Sequence, residues 1–83
     1  MKIFVEVKTP GNGKTYEFLL DSNLTVGHVK AMMIDEITEI ENGNITLKVE
    51  RSILSSLNTQ SRLDETKTLT AAGVKSGQSL LLL

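Results

Sequence analysis

The sequence has no cysteine, no tryptophan, one proline and one histidine among its 83 residues. Without cysteine the chain cannot form a disulfide, a thiol nucleophile or a cysteine-based zinc site. The single histidine, His28, cannot bind a metal without carboxylates in reach, and no nucleophile stands ready for it to activate. We interpret His28 as an exposed structural residue and predict no catalytic, metal or cofactor site, so we do not expect an enzyme.

Strong charge and long apolar runs are also missing. Nine basic and ten acidic residues nearly cancel, and the three aromatic residues are few for stacking on bases, so we predict no nucleic-acid binding. No apolar run is longer than the four residues 80–83, which excludes a membrane-spanning segment. Glu6 and Lys8 interrupt any signal-peptide core near the start, and we expect a cytoplasmic location.

The first twenty residues predict a β-hairpin. Residues 2–8 place Ile3, Val5 and Val7 on one side, and residues 14–20 place Tyr16, Phe18 and Leu20 on one side. Between them, residues 10–13 read Pro-Gly-Asn-Gly, a turn composition. The adjoining Gly-Lys-Thr also resembles the end of a phosphate-binding loop, but Lys8 stands where that motif needs glycine, and a strand follows instead of a helix.

A helix is predicted over about residues 25–41, in the middle of the chain. Thr25 is a favourable N-cap, and Asn42-Gly43 provides a stop. Between these ends the apolar residues recur at spacings of three and four, which is typical of an amphipathic helix: Val26, Val29, Met33, Ile37 and Ile40.

The remaining sequence predicts further strands. Residues 45–50, Ile-Thr-Leu-Lys-Val-Glu, alternate strictly and are predicted to form the third strand. Residues 51–67 indicate a continuation or short strand and then a loop, and 69–74 a single helical turn ended by Gly73. Residues 79–83 form a last strand, which we place beside the first in a strand order 2-1-5-3. We therefore predict one α+β domain over residues 1–83, with a mixed sheet of four to five strands on one helix.

Most of the chain resembles the ubiquitin-like family, whose fold is the β-grasp. The resemblance lies in "MKIFVEV", "GKTYEFLL", "LTVGHVKAMM" and "SRLDETKTLTAAGVKSGQSLLLL". It is most specific in the last segment. There Leu69 is followed five positions later by an apolar residue, Val74, then by a turn, and then by Leu80 in the final strand. Residues 68–83, "TLTAAGVKSGQSLLLL", are also similar to the C-terminal half of YukD-like proteins, which are small bacterial ubiquitin-fold proteins that accompany type VII secretion systems.

The resemblance implies a non-catalytic accessory protein that binds other proteins. Ubiquitin-type modifiers and bacterial sulfur carriers need a C-terminal Gly-Gly, and the sequence ends at Leu83 without one. We therefore expect a bacterial YukD-like module that acts through non-covalent contacts in type VII secretion. The alternative is a ubiquitin-like covalent modifier or sulfur carrier whose Gly-Gly tail is absent from this chain.

The helix region carries one lysine and a cluster of acidic residues, and we predict a structural role for the lysine and a solvent-exposed position for the acidic residues. Lys30 falls at the edge of the apolar stripe, where a lysine either reaches solvent or meets a carboxylate. The resemblance implies an ion pair with Glu65 or its neighbour Asp64. The acidic residues of the second half of the helix favour a solvated face over a docking surface for a basic partner: Asp35, Glu36, Glu39 and Glu41.

The exposed face of the sheet is the candidate protein-binding site. Outward positions are Phe4 on the first strand, Leu19 on the second, Leu81 on the last and Lys48 on the third. In the strand order 2-1-5-3 these residues would form one band across the sheet, and a contiguous apolar band is unusual on a free surface.

Overall fold

The N-terminal hairpin supplies the two longest strands. The computed structural model describes residues 1–83. Strand β1 (Lys2–Thr9) pairs antiparallel with β2 (Lys14–Asp21) over their full length of eight residues. Successive side chains of a strand point to opposite faces, so the hairpin has one buried and one exposed face. The predicted hairpin and its turn are confirmed.

The single helix α1 (Val26–Ile40) covers the buried face of the sheet. Thr25 caps its start by accepting the His28 backbone N–H at 3.2 Å, and Gly43, at φ +76°, closes its end by donating to the Thr38 carbonyl at 2.9 Å. The predicted stripe is buried except for Ile40, which is 59% exposed. Periodicity predicts which side of a helix is apolar, but not how far along its axis the core extends.

Three shorter strands complete the sheet. They are β3 (Leu54–Ser56), β4 (Ser61–Arg62) and β5 (Ser79–Leu82). The strand order is β2-β1-β5-β3-β4, with β5 parallel to β1 and antiparallel to β3. The predicted central position of the first and last strands is therefore confirmed, and the architecture is α+β.

The prediction of a third strand at residues 45–50 is wrong. Ile45 and Leu47 do pack partly against the core, so the alternation has a physical basis. However, the backbone N–H groups of residues 45–47 make no hydrogen bond within the chain, and the Lys48 carbonyl instead accepts from Arg51 and Ser52 in a turn. Strand β3 takes the free edge of β5, with Leu54 opposite Leu82.

The core joins the helix to the inner face of the sheet. Residues 69–74 contribute to it through the predicted single turn, in which the Ala72 N–H donates to the Thr68 carbonyl at 2.9 Å and which ends at Gly73, at φ +81°. The buried apolar residues come from the hairpin, the helix and residues 54–82: Ile3, Val5, Val7, Phe18, Leu20, Val26, Val29, Met33, Ile34, Ile37, Leu54, Leu63, Leu69, Val74, Leu80 and Leu82. The one helix is too short and too polar to cross a membrane.

Candidate functional site

Phe4 and Leu19 form an apolar pair on the outer face of the sheet. They lie directly opposite each other across β1 and β2, and they are 47% and 61% exposed. Their neighbours along each strand, including Val5 and Phe18, are buried beneath them. Because both strands bury alternate side chains in the core, the backbone that carries this pair is held in place.

An acidic row lies next to this pair. Glu6 is opposite Glu17 across the hairpin, and Ser79 continues the row on β5. Lys8 Nζ approaches Glu6 Oε1 at 3.9 Å, a distance at which an exposed pair contributes little to stability. Two carboxylates directly opposite each other on a sheet repel, so the row carries local negative charge that the contact with Lys8 offsets only weakly.

The predicted band across the sheet is divided by this acidic row. Leu81 lies one row further, in register with Lys8 and Ser55, and it is only partly exposed. The prediction that Lys48 lies on the third strand is wrong, because Lys48 belongs to the unpaired segment before β3. Of the four predicted residues, the structure brings together only Phe4 and Leu19.

The buried lysine of the helix holds the segment before β3 in place. Lys30 is 3% exposed, and its Nζ lies 2.8 Å from Glu65 Oε2 and 2.9 Å from the Ser52 carbonyl oxygen. Asp64 instead accepts from the hydroxyl and the backbone N–H of Thr66, which hold the pKa of its carboxyl below the ordinary value. The Ser52 contact was not predicted, since a backbone acceptor leaves no mark in the sequence.

A close approach of two backbones positions Glu65. The Gly27 N–H donates to the Glu65 carbonyl at 3.0 Å, and the Val26 N–H donates to the Lys67 carbonyl at 2.8 Å. A Cβ atom at position 27 would lie 3.2 Å from the Glu65 oxygen, so glycine allows this contact. The helix start thus binds the loop that brings Glu65 to Lys30.

A second polar contact, unpredicted, joins the hairpin to the end of the helix. Glu41 accepts from Lys14 Nζ at 2.6 Å and from the Tyr16 hydroxyl at 2.8 Å. The hydrogen bond from Lys14, with a further one from Tyr16, holds the pKa of Glu41 below its ordinary value, and the same bond raises the pKa of Lys14. Glu41 therefore leaves the predicted solvated acidic face, whereas Asp35, Glu36 and Glu39 are exposed as predicted.

The hairpin loop does not present its amides to a phosphate. The Asn12 and Gly13 N–H groups donate to the Thr9 carbonyl at 3.3 and 3.0 Å, and β2 begins directly at Lys14. Elsewhere in the chain, no three His, Asp or Glu side chains come together as a set that could hold a metal ion. His28 is exposed at the first turn of the helix.

The whole chain superimposes on solved ubiquitin-like domains. The UBL domain of Plasmodium falciparum Dsk2 matches 99% of this chain and 96% of its own, with a TM-score of 0.77 and 23% identity. The ubiquitin of Caldiarchaeum subterraneum matches 99% and 91%, with a TM-score of 0.72 and 22% identity. The ubiquitin-like domain of Arabidopsis thaliana At2g32350 matches 99% and 76%, with a TM-score of 0.72 and 25% identity.

These matches establish the class of fold. The chain has the ubiquitin-like β-grasp fold, with a mixed five-stranded sheet packed on one helix. No protein-family model and no curated protein matches the sequence.

Proposed function

We propose that the protein is a non-catalytic module that binds other proteins through the outer face of its sheet. The observation that carries the proposal is the exposed Phe4–Leu19 pair on two strands that pair with each other along their full length. Exposed aromatic and aliphatic side chains on a rigid support are good anchors for a partner, because little conformational entropy is lost on binding.

The acidic row beside the pair adds a polar element to this face. A partner that places an apolar side chain on Phe4 and Leu19 would set a lysine or arginine near Glu6 and Glu17. Such a contact would relieve the repulsion between the two carboxylates and fix the register of docking.

The binding face is tested by capture of partners from the native organism. We expect the double variant Phe4→Ala/Leu19→Ser to lose proteins that the wild type captures. Ile40→Ser is the matched control, since Ile40 is 59% exposed but lies on the helix, away from the outer face. Retention of every captured protein by the double variant would contradict the proposed face.

We further propose that the protein works in the bacterial cytoplasm as an accessory component of a type VII secretion system. The resemblance of residues 68–83 to YukD-like proteins supports this setting. We expect a membrane ATPase or a helical-hairpin substrate of such a system among the proteins lost by the double variant. Unchanged secretion after deletion of the gene would contradict this setting while leaving the binding face untouched.

The alternative function is covalent modification of other proteins. The similarity to the ubiquitin of Caldiarchaeum subterraneum favours it. Mass spectrometry of the native proteome distinguishes the two functions. Peptides of this protein joined to lysine side chains would establish a modifier, whereas the non-covalent module predicts the unconjugated chain alone.

A further inference from the structure

A carbon-lined cavity lies at the opposite end of the sheet from the hairpin turn. It has a volume of about 470 Å³ and opens between the start of β1 and the turn before β5. Ile3 and Val74 form its buried walls, and most of its exposed lining atoms are carbon. Its volume falls within the range of roughly 300–1,000 Å³ that is usual for ligand sites. A leucine-sized side chain fits such a space.

Backbone hydrogen bonds fix the walls of this cavity. The Ser22 N–H donates to the Met1 carbonyl at 2.8 Å, and the Thr70 N–H donates to the Ser22 carbonyl at 3.1 Å. The Phe4 N–H donates to Ser76 Oγ at 3.0 Å. Because these polar groups already have partners, the cavity is preformed and its surface suits an apolar group.

Two lysines give the cavity a positive rim. Lys2 and Lys75 line it, both are exposed, and neither forms an ion pair. Asp21, opposite Lys2, instead pairs with the N-terminal amine at 3.5 Å and accepts from the Asn23 N–H at 2.9 Å.

The other cavities differ in charge or in the pairing of their charges. The cavity beside the hairpin turn is lined by Lys8 and Lys14, but these lysines pair with Glu6 and Glu41. The cavity between α1 and β2 is flanked by Glu17 and Glu36, and the cavity beside β4 is lined by Arg62, Asp64 and Glu65. Apolar walls with unpaired lysines complement an apolar side chain that has carboxylates beside it. We propose that the Lys2–Lys75 cavity binds an acidic segment of a partner protein, with one apolar side chain inside the cavity and carboxylates on the two lysines.

The proposal is tested with an N-acetylated, C-amidated peptide of sequence Glu-Glu-Leu-Leu-Glu-Glu and the ¹⁵N-labelled protein. We expect amide shift changes at Ile3, Ser22 and residues 70–76. The double variant Lys2→Gln/Lys75→Gln should raise the Kd about tenfold, which corresponds to two exposed charge contacts. Replacing both leucines of the peptide by serine should abolish binding.

The matched control is Lys48→Gln/Lys67→Gln, which removes the same charge from exposed lysines elsewhere. Its Kd should stay within about twofold of the wild type, since distant surface charges are screened. Equal weakening by both double variants would mean general attraction between charges and would overturn the proposal. So would the absence of shift changes at the cavity at millimolar peptide.

Two further outcomes distinguish this cavity from the outer face and from a membrane-binding surface. Phe4→Ala/Leu19→Ser should bind the peptide as the wild type does, and shift changes confined to the outer face would overturn the cavity while leaving the outer-face proposal intact. Phosphatidylglycerol vesicles provide the last comparison. Vesicle binding that requires Lys2 and Lys75, without peptide binding, would overturn the peptide site and assign the cavity to an anionic membrane surface instead.

Discussion

The N-terminal hairpin and the segment between the helix and β5 are held in the fold by different means. In the hairpin, β1 and β2 pair along eight residues and bury alternate side chains. Between residues 41 and 67 the strands are only three and two residues long, and residues 45–47 have no backbone partner. There the backbone pairs only in short stretches, such as Ile53 with Leu83, and Lys30 adds contacts to the Ser52 carbonyl and to Glu65.

This difference predicts that the hairpin is more rigid than the segment between the helix and β5. A continuous ladder fixes every residue through its neighbours, so the outer face that we propose as a binding surface lies on the stiffer region. The other region depends on a few anchors, and a change at one anchor should release the local chain without unfolding the hairpin.

The largest expected contrast is between two apolar side chains, one in each region. Phe18 is 7% exposed in β2, and its replacement by alanine should lower the free energy of unfolding by about 3–5 kcal/mol. Leu47 is half-buried in the unpaired segment, and its replacement by alanine should lower the free energy of unfolding by about 1 kcal/mol. Urea unfolding measures both values, and equal costs would contradict the contrast.

The anchor at Lys30 should show an intermediate effect. Lys30→Ala leaves the buried Ser52 carbonyl without its donor and removes the partner of Glu65, at an expected cost of about 2–3 kcal/mol. Glu65 is 40% exposed and regains water, which limits the loss. Lys30→Met keeps the apolar stem and should cost about 1–2 kcal/mol.

The location of the Lys30 effect is as informative as its size. Amide exchange in Lys30→Ala should accelerate first near Ser52 and Leu54. The amides of β1 and β2 should exchange as slowly as they do in the wild type. Acceleration spread evenly over the sheet would show that Lys30 supports the whole fold and not one segment.

The smallest effect should come from the contact between the hairpin and the helix end. The folded-state pKa of Glu41 lies below its ordinary value of 4.5, so its stabilising contribution is present at neutral pH. It is lost as the pH falls through the lowered pKa. The pKa of Lys14 is raised above 10.5, so its contribution is lost only as the pH rises beyond that value.

Thermal unfolding of Glu41→Gln tests whether the ionised Glu41 carboxylate stabilises the folded protein. The variant should melt below the wild type at pH 7, and the difference in Tm should shrink as the pH falls below 4.5. A difference that grows in acid would show that the ionised Glu41 does not stabilise the folded protein.

Sequence patterns predicted the elements that depend on local periodicity. The hairpin follows from alternation around a Pro-Gly-Asn-Gly turn, and the helix from its cap, stripe and stop. The central pairing of the first and last strands follows from the need of their apolar side chains for burial on one face.

The third strand was predicted at the wrong place, because its position depends on competition between two segments. The short strand indicated within residues 51–67 is the one that joins the sheet, as β3. Residues 45–50 alternate better, but β3 at Leu54–Ser56 follows a turn at Lys48 and lies beside β5. The same error misplaced Lys48 in the candidate face. The division of that face by Glu6 and Glu17 depends on strand register, which becomes visible only once the pairing is known.

Native-state amide hydrogen exchange tests the contrast between the two regions most directly. We predict slow exchange for the paired amides of β1 and β5 and for α1, and near-unprotected exchange for Ile45, Thr46 and Leu47. If residues 45–50 are protected as strongly as β1, they form a sheet strand in solution, and both the contrast between the two regions and the placement of Lys48 outside the sheet are wrong.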